Sequence, residues 1–251
     1  FVNSGWIELY GSYAQTVLDN EYFRLNAGAT FKLSRGISGA QAVLQNGKFE
    51  SIPGGDPARY NITGADARFG YSSNYDRWQN ENSRINNLRN FLTYTEGGAS
   101  IDVGAELLIK TQAVIRYGED DYFDYDWKLG VSLLDLGANQ FKYGKQSRSI
   151  TGVQNGINNV SLNQKFDSTI RSMATFNDSL ATVAGQFTAL AGKFRILNPT
   201  RLVLNADRYL LGGFYINAED SINLSAVFGK RWLYVKEMNL ITLTPRWETP
   251  R

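Results

Sequence analysis

The sequence contains no cysteine and no histidine. Without cysteine there is no disulfide framework, no thiol nucleophile and no thiolate metal site, and little is implied about compartment. Without histidine there is no Ser-His-Asp or Cys-His arrangement, no His-Asp pair to activate water, and no zinc site of ordinary ligand type. The chain is therefore expected not to be an enzyme. Long apolar runs are missing as well: nothing approaches the roughly 18 to 20 consecutive apolar residues that a membrane-crossing helix needs. Insertion as a barrel is untouched by that absence, because a barrel strand needs only about 9 to 11 residues with every second one apolar. Blocks of one charge are missing too. The 26 basic and 24 acidic residues leave a formal charge of +2 and are mixed along the chain, so no electrostatic footprint for nucleic acid exists. Phe1 to Tyr13 holds no basic stretch followed by an apolar one, so the expectation is a signal already removed or a chain that begins mid-protein.

What the sequence does contain is alternation. The 251 residues suffice for one large all-β domain or two small ones, and a mean hydropathy of -0.32 with 13% aromatics suits strands that are greasy on one side only. From Phe23 to Ser34, Phe23, Leu25, Ala27, Ala29, Phe31 and Leu33 alternate with Arg24, Asn26, Gly28, Thr30, Lys32 and Ser34. Period two over such a length predicts a strand with one apolar and one polar face. Ala99 to Ile109 repeats the scheme, as does Asp126 to Leu136, where Trp127, Leu129, Val131 and Leu133 oppose Asp126, Lys128, Gly130 and Ser132. Ser4 to Tyr13 is a fourth case, and Asp19 and Asn20 supply the turn that makes it a hairpin with the strand after it. Further strands are predicted over Gly39 to Phe49, Tyr60 to Ser72, Ala138 to Tyr143, Arg201 to Leu210, Gly213 to Val227 and Leu240 to Trp247. About ten strands of barrel length result, with interior glycines suited to a curved sheet.

Two regions break the rhythm. Asn74 to Glu96 is long and polar and reads as a loop with a helical turn. Phe166 to Ala191 places Ile170, Met173, Ala174, Leu180, Val183, Ala184 and Phe187 at helical spacing behind Asp167 or Ser168 as a cap, which makes it the best helix candidate.

Three stretches together carry a resemblance: YAQTVLDNEYFRLNAGATFKLSRGISGA at Tyr13 to Ala40, DYDWKLGVSLLDLGANQFKYG at Asp124 to Gly144, and FRILNPTRLVLNADRYLLGGFYINA at Phe194 to Ala218. They resemble an uncharacterised family of Bacteroidota outer-membrane β-barrels, a domain of unknown function, some members of which are fused to an OmpA-like peptidoglycan-binding domain. The resemblance implies further strands before Ser4 and after the PRWE at Pro245 to Glu248, and no OmpA-like domain is readable here. An incomplete barrel is therefore expected.

Each candidate site in the sequence also has a plainer reading. Glu119, Asp120, Asp121, Asp124 and Asp126 could chelate calcium, yet they lack ordered loop spacing and are interleaved with aromatics, so a solvated turn is preferred. Asp102 and Glu106 share a face but stand about 13 Å apart along a strand, too far for an acid-base pair and natural as charge facing a barrel lumen. Gly54 to Pro57 lacks the lysine and helix of a phosphate loop and reads as a turn. Trp6, Tyr10, Tyr71, Trp127, Tyr209, Trp232 and Trp247 could stack on a ligand, but aromatic girdles at membrane interfaces account for them. No catalytic, cofactor-binding or metal residue is assigned, and no cofactor is implied.

The expected fold is all-β: an antiparallel transmembrane barrel domain spanning residues 1–251, incomplete within this chain, with a helical loop or plug near residues 166–191. The expected function is a non-catalytic outer-membrane protein, a structural or accessory subunit of a cell-envelope complex. Its partners would be outer-membrane lipid and other envelope proteins, with no nucleic acid. Two alternatives stand beside it: a transporter or porin for a hydrophobic or small solute, and a soluble β-rich binding or adhesive domain.

Overall fold

The computed structural model describes residues 1–54, 59–110, 125–154, 161–167, 169–211, 213–228 and 233–248. Within them the chain forms β1 (Val2–Asp19), β2 (Phe23–Ile52), β3 (Arg59–Tyr71), α1 (Arg84–Thr93), β4 (Glu96–Ile109), β5 (Trp127–Lys142), β6 (Arg148–Val153), α2 (Leu162–Lys165) and α3 (Met173–Ala181). It continues through β7 (Ala184–Ala189), β8 (Lys193–Leu197), β9 (Arg201–Leu211), β10 (Phe214–Asn223), β11 (Leu233–Tyr234) and β12 (Leu240–Trp247). The protein is mostly antiparallel β, as its alternation predicts.

Several strands outrun their sequence signal. Phe23 to Ser34 and Gly39 to Phe49 belong to one strand of 30 residues, and the segments predicted at Asp126 to Leu136 and Ala138 to Tyr143 merge, less Asp126 and Tyr143, into one strand of 16. The Asp19-Asn20 turn is present as expected: the Asn20 carboxamide oxygen accepts the N–H groups of Tyr22 and Phe23, both at 2.9 Å. The Asn74 to Glu96 region holds a 3-10 turn at Ser73–Arg77 and then α1. The Phe166 to Ala191 expectation is corrected in extent. Only Met173–Ala181 is a helix of any length there, and Ala184–Ala189 is the strand β7, whose Phe187 faces Ile150 of β6. Its spacing imitated a helix, and a non-local strand partner decided the matter.

The chain forms two compact units. The first comprises Phe1–Gly5, Gly36–Glu96 and Gln140–Phe194, the second Trp6–Arg35, Gly97–Asn139 and Arg195–Arg251.

In the first unit the ladder runs β2-β3-β6-β7. Its core is a stack of rings, with Phe194 lying 5.4 Å from Phe141 and 4.6 Å from Tyr143 between centroids. Gly36 and Gly39 make room for it: a Cβ on either would stand within 2.6 Å of the Phe141 ring. On the sheet face carrying Phe69 lies α3, with Phe176 edge-on to Phe69 at 5.7 Å. A capping box starts α3. The Ser172 hydroxyl accepts from the Thr175 N–H, and the Thr175 hydroxyl accepts from the Ser172 N–H, both at 3.1 Å.

In the second unit the order is β12-β10-β9-β5-β4-β2-β1, with Lys110 opposite Tyr22 at one end of the β2–β4 pairing and Gly98 beside Ser34 at the other. Every neighbouring pair in that series is antiparallel. The two-residue strand β11 lies parallel to β8, Leu233 opposite Ile196.

Candidate functional site

The registers of the second unit align residues of one kind into rows that cross the strands. Leu107, Leu129, Ala206, Ala218 and Leu243 form one row, and Ala105, Val131 and Leu204 form another. These apolar residues occupy the open side of the sheet; Leu129 is 38% exposed, Val131 46% and Leu204 41%. The alternate residues carry charge and amides: Glu106, Gly130, Asn205, Glu219 and Thr242 in one row, Lys128, Asp207, Asn217 and Thr244 in the next. Strand pleating makes this separation automatic once the sequence alternates.

The polar face is knitted together by hydrogen bonds from strand to strand. Thr16 donates to Asn26 at 2.8 Å, Asn26 donates to Glu106 at 3.3 Å, and Lys128 meets Glu106 at 2.9 Å. Asn205 and Asn217 exchange carboxamide hydrogen bonds at 3.2 and 3.3 Å. Arg246 meets Asp207 at 3.0 Å, and Tyr125 donates to the same carboxylate while accepting from Arg246, both at 3.1 Å. Burial in this cluster pushes the Tyr125 phenol up, with Arg246 opposing. Along this face lies an open cleft of about 610 Å³, lined by Asn26, Glu106, Lys128, Asn205, Asp207 and Arg246 among others.

The strongest electrostatic feature is at Lys32. Its ammonium lies 2.8 Å from Asp102 and 2.6 Å from Asp135, and all three side chains are less than a fifth exposed. Asp135 sits at a bulge with φ of 57°, where Ile101 faces Leu136 and Val103 faces Leu133. The Asp102 carboxylate accepts the N–H of Asp135 at 2.7 Å, so one acid holds the bulge closed and also binds the lysine. Asp102 and Glu106 thus answer to different lysines, Lys32 and Lys128.

In the first unit a separate cleft of about 790 Å³ lies on the Phe69 face, lined mainly by Ala40, Ala42, Leu44, Phe69, Met173 and Phe176. Its character is apolar. On the opposite face Tyr143 is buried and accepts hydrogen bonds from Gln41 at 3.0 Å and from Arg68 at 2.5 Å.

A model of DUF5723, a family of unknown function, matches residues 2–251. The chain belongs to that family. No curated protein and no solved structure matches this DUF5723 chain.

The remaining sequence candidates fall as follows in this member of DUF5723. The acidic cluster lies outside the described residues apart from Asp126, as do Trp232 and most of Gly54 to Pro57; Gly54 itself is in a turn with φ of 81°. The other aromatics have separate surroundings where contacts are described. Trp6 donates to Glu8, Tyr71 donates to Asp76, Trp127 lies under Arg208 at 4.7 Å, and Tyr209 packs on Tyr215 at 5.2 Å. Tyr10 and Trp247 are exposed. The sequence did not single out Lys32, Asp135, Tyr143 or the Asp207–Arg246 pair. Lys32 and Asp207 do sit on the polar side of alternating segments, which was the available clue; their ion partners are distant in sequence and nothing local announces them.

Proposed function

We propose that this chain forms wall strands of an outer-membrane β-barrel and serves as a non-catalytic structural or accessory subunit of a cell-envelope assembly. One observation carries the reading: the polarity of the fold is inverted relative to a water-soluble domain. Of the described residues, eight apolar side chains are buried against fourteen polar or charged ones, while rows of leucine, isoleucine and valine stand open. In water such rows are a standing liability. In hydrocarbon they are the lipid-facing surface, and the ion-paired rows opposite them are the lumen side. The neutralised polar face, with acids and bases paired across strands, supports a structural part over a catalytic one. The family resemblance to Bacteroidota outer-membrane barrels, with their OmpA-like fusions, points the same way.

The test is a charge placed on the open face. Val131→Arg is expected to cost about 2 to 4 kcal/mol for the protein in lipid vesicles if the position lies near the bilayer midplane. A water-facing site would change by no more than about 0.5 kcal/mol, and that result would refute the reading. A second reading, transport of a hydrophobic solute, is favoured by the apolar cleft of about 790 Å³ in the first unit. Uptake of a fluorescent fatty acid into vesicles carrying the protein separates the two.

A further inference from the structure

The first unit holds a further cleft, of about 560 Å³, in which positive charge is left unmatched. Three cations line it: Arg77 at the end of the 3-10 turn, Lys142 at the end of β5 and Lys145 in the turn before β6. Among the described lining residues the only acid is Asp76, and neutral donors hold both of its oxygens. The Tyr71 hydroxyl donates to one at 2.6 Å and the N–H of Lys145 to the other at 2.7 Å. Among the described residues no carboxylate makes an ion pair with Arg77, Lys142 or Lys145. The polar cleft of the second unit is built the other way: its Lys128 meets Glu106 at 2.9 Å and its Arg246 meets Asp207 at 3.0 Å. A cleft of this size is on the order of a Debye length across at physiological salt, so its charges feel one another. Three cations against one carboxylate leave two positive charges over.

The backbone that carries these groups is pinned. Asn87 of α1 donates to the Gln79 carbonyl at 2.7 Å and accepts the Gln79 N–H at 3.1 Å, which clamps the helix to the segment that follows Arg77. Tyr94, the residue after α1, has the Arg77 guanidinium 3.4 Å above its ring. Stacking holds a guanidinium by its face and leaves the in-plane N–H fork to an acceptor. The Lys145 turn is closed by the Gly144 N–H on the Tyr71 carbonyl at 2.7 Å and the Ser147 N–H on the Gly144 carbonyl at 3.0 Å. A site fixed in advance spends less on ordering when a ligand arrives.

We infer that this cleft binds a phosphomonoester. At neutral pH that group carries about two negative charges on three acceptor oxygens, which equals the surplus and can be shared between one fork and two ammonium groups. A carboxylate has a single charge and two oxygens, and would leave one cation unmatched. Ser73, Gln79 and Asn90 offer neutral donors and acceptors to whatever carries the phosphate. The inference stands apart from the membrane reading above, because the same group occurs on soluble sugars and on lipid headgroups.

The full chain in micelles of an uncharged detergent is titrated with glucose 6-phosphate and, separately, with dioctanoyl phosphatidic acid diluted into the same micelles. Saturable binding of the sugar phosphate supports the inference with a soluble source; saturable binding of phosphatidic acid alone supports it with a lipid headgroup as the source. Lys142→Gln and Lys145→Gln are each expected to weaken binding about fivefold, the upper end for an exposed ion pair. Both side chains are exposed and unpaired among the described residues, so the fold should survive, as an unchanged urea midpoint would show. Lys48→Gln removes an exposed lysine outside the cleft and is expected to leave affinity unchanged. The chain has no histidine to titrate near neutrality, so protonation of the phosphate itself should lower affinity roughly fourfold from about pH 7.5 to about pH 5.5. Absence of saturable binding for both ligands would overturn the inference. So would acetate competing as well as phosphate, cleft variants that bind like the parent, or an equal loss in Lys48→Gln.

Discussion

Lys32→Met is the most incisive perturbation of the polar face. Methionine keeps an unbranched side chain as far as the ε carbon and removes the ammonium that lies between Asp102 at 2.8 Å and Asp135 at 2.6 Å. The lysine side chain is 12% exposed and the two carboxylates 17% and 13%, so water compensates poorly for its loss. Breaking a buried ion pair by deleting one partner costs about 3 to 5 kcal/mol, because it strands a charge. Two contacts soften the loss here: Arg201 stays 3.4 Å from Asp135, and the N–H of Asp135 still donates to Asp102. The lower end applies, about 3 kcal/mol, which is roughly a 150-fold fall in the folded-to-unfolded ratio. Urea unfolding in lipid vesicles, followed by tryptophan fluorescence, measures it. The double variant Lys32→Met with Asp102→Asn removes one stranded charge and is expected to regain about half of the deficit. Lys32→Met within about 0.5 kcal/mol of the parent, or a double variant no better than the single, would refute the argument.

Two further outcomes follow from local geometry. Gly98→Ala places a Cβ 2.6 Å from the carbonyl oxygen of Ala138 and 2.7 Å from the Ser34 hydroxyl, and is expected to cost about 1 to 3 kcal/mol by urea midpoint. Gly11→Ala, with nothing within 4 Å of its Cβ, is the control expected to stay within about 0.5 kcal/mol. Ser172→Ala removes the capping box of α3 and should cost about 1 kcal/mol locally, read as faster amide exchange at Ala174 to Phe176, with Ser172→Asp preserving protection.

The strand content was legible because alternation is a local signal. Leu240–Trp247 has the limits the sequence suggests, and the Asn20 turn is where its chemistry puts it. Failures came from residues whose meaning is set elsewhere in the chain. Gly36 and Gly39 resemble punctuation between two strands, yet they lie inside one strand and admit the Phe141 ring, a contact more than a hundred residues away in sequence. Phe187 keeps helical spacing with its neighbours and still pairs with Ile150. Of the site, the sequence could place Asp102 and Glu106 on the polar side; it could not match each to its own lysine, since Lys32 and Lys128 come from different strands.

The pairing of strands distant in sequence also dictates an order of assembly. The hairpin of β1 and β2 closes through Asn20 over a handful of residues, so its ladder can zip within microseconds at small entropic cost. The seam between β5 and β9 sets Trp127 against Arg208 and must wait until the whole intervening segment has found its place. Nascent chains should therefore present early hairpins with a late seam, and the apolar rows that cross β5 and β9 stay unaligned longest.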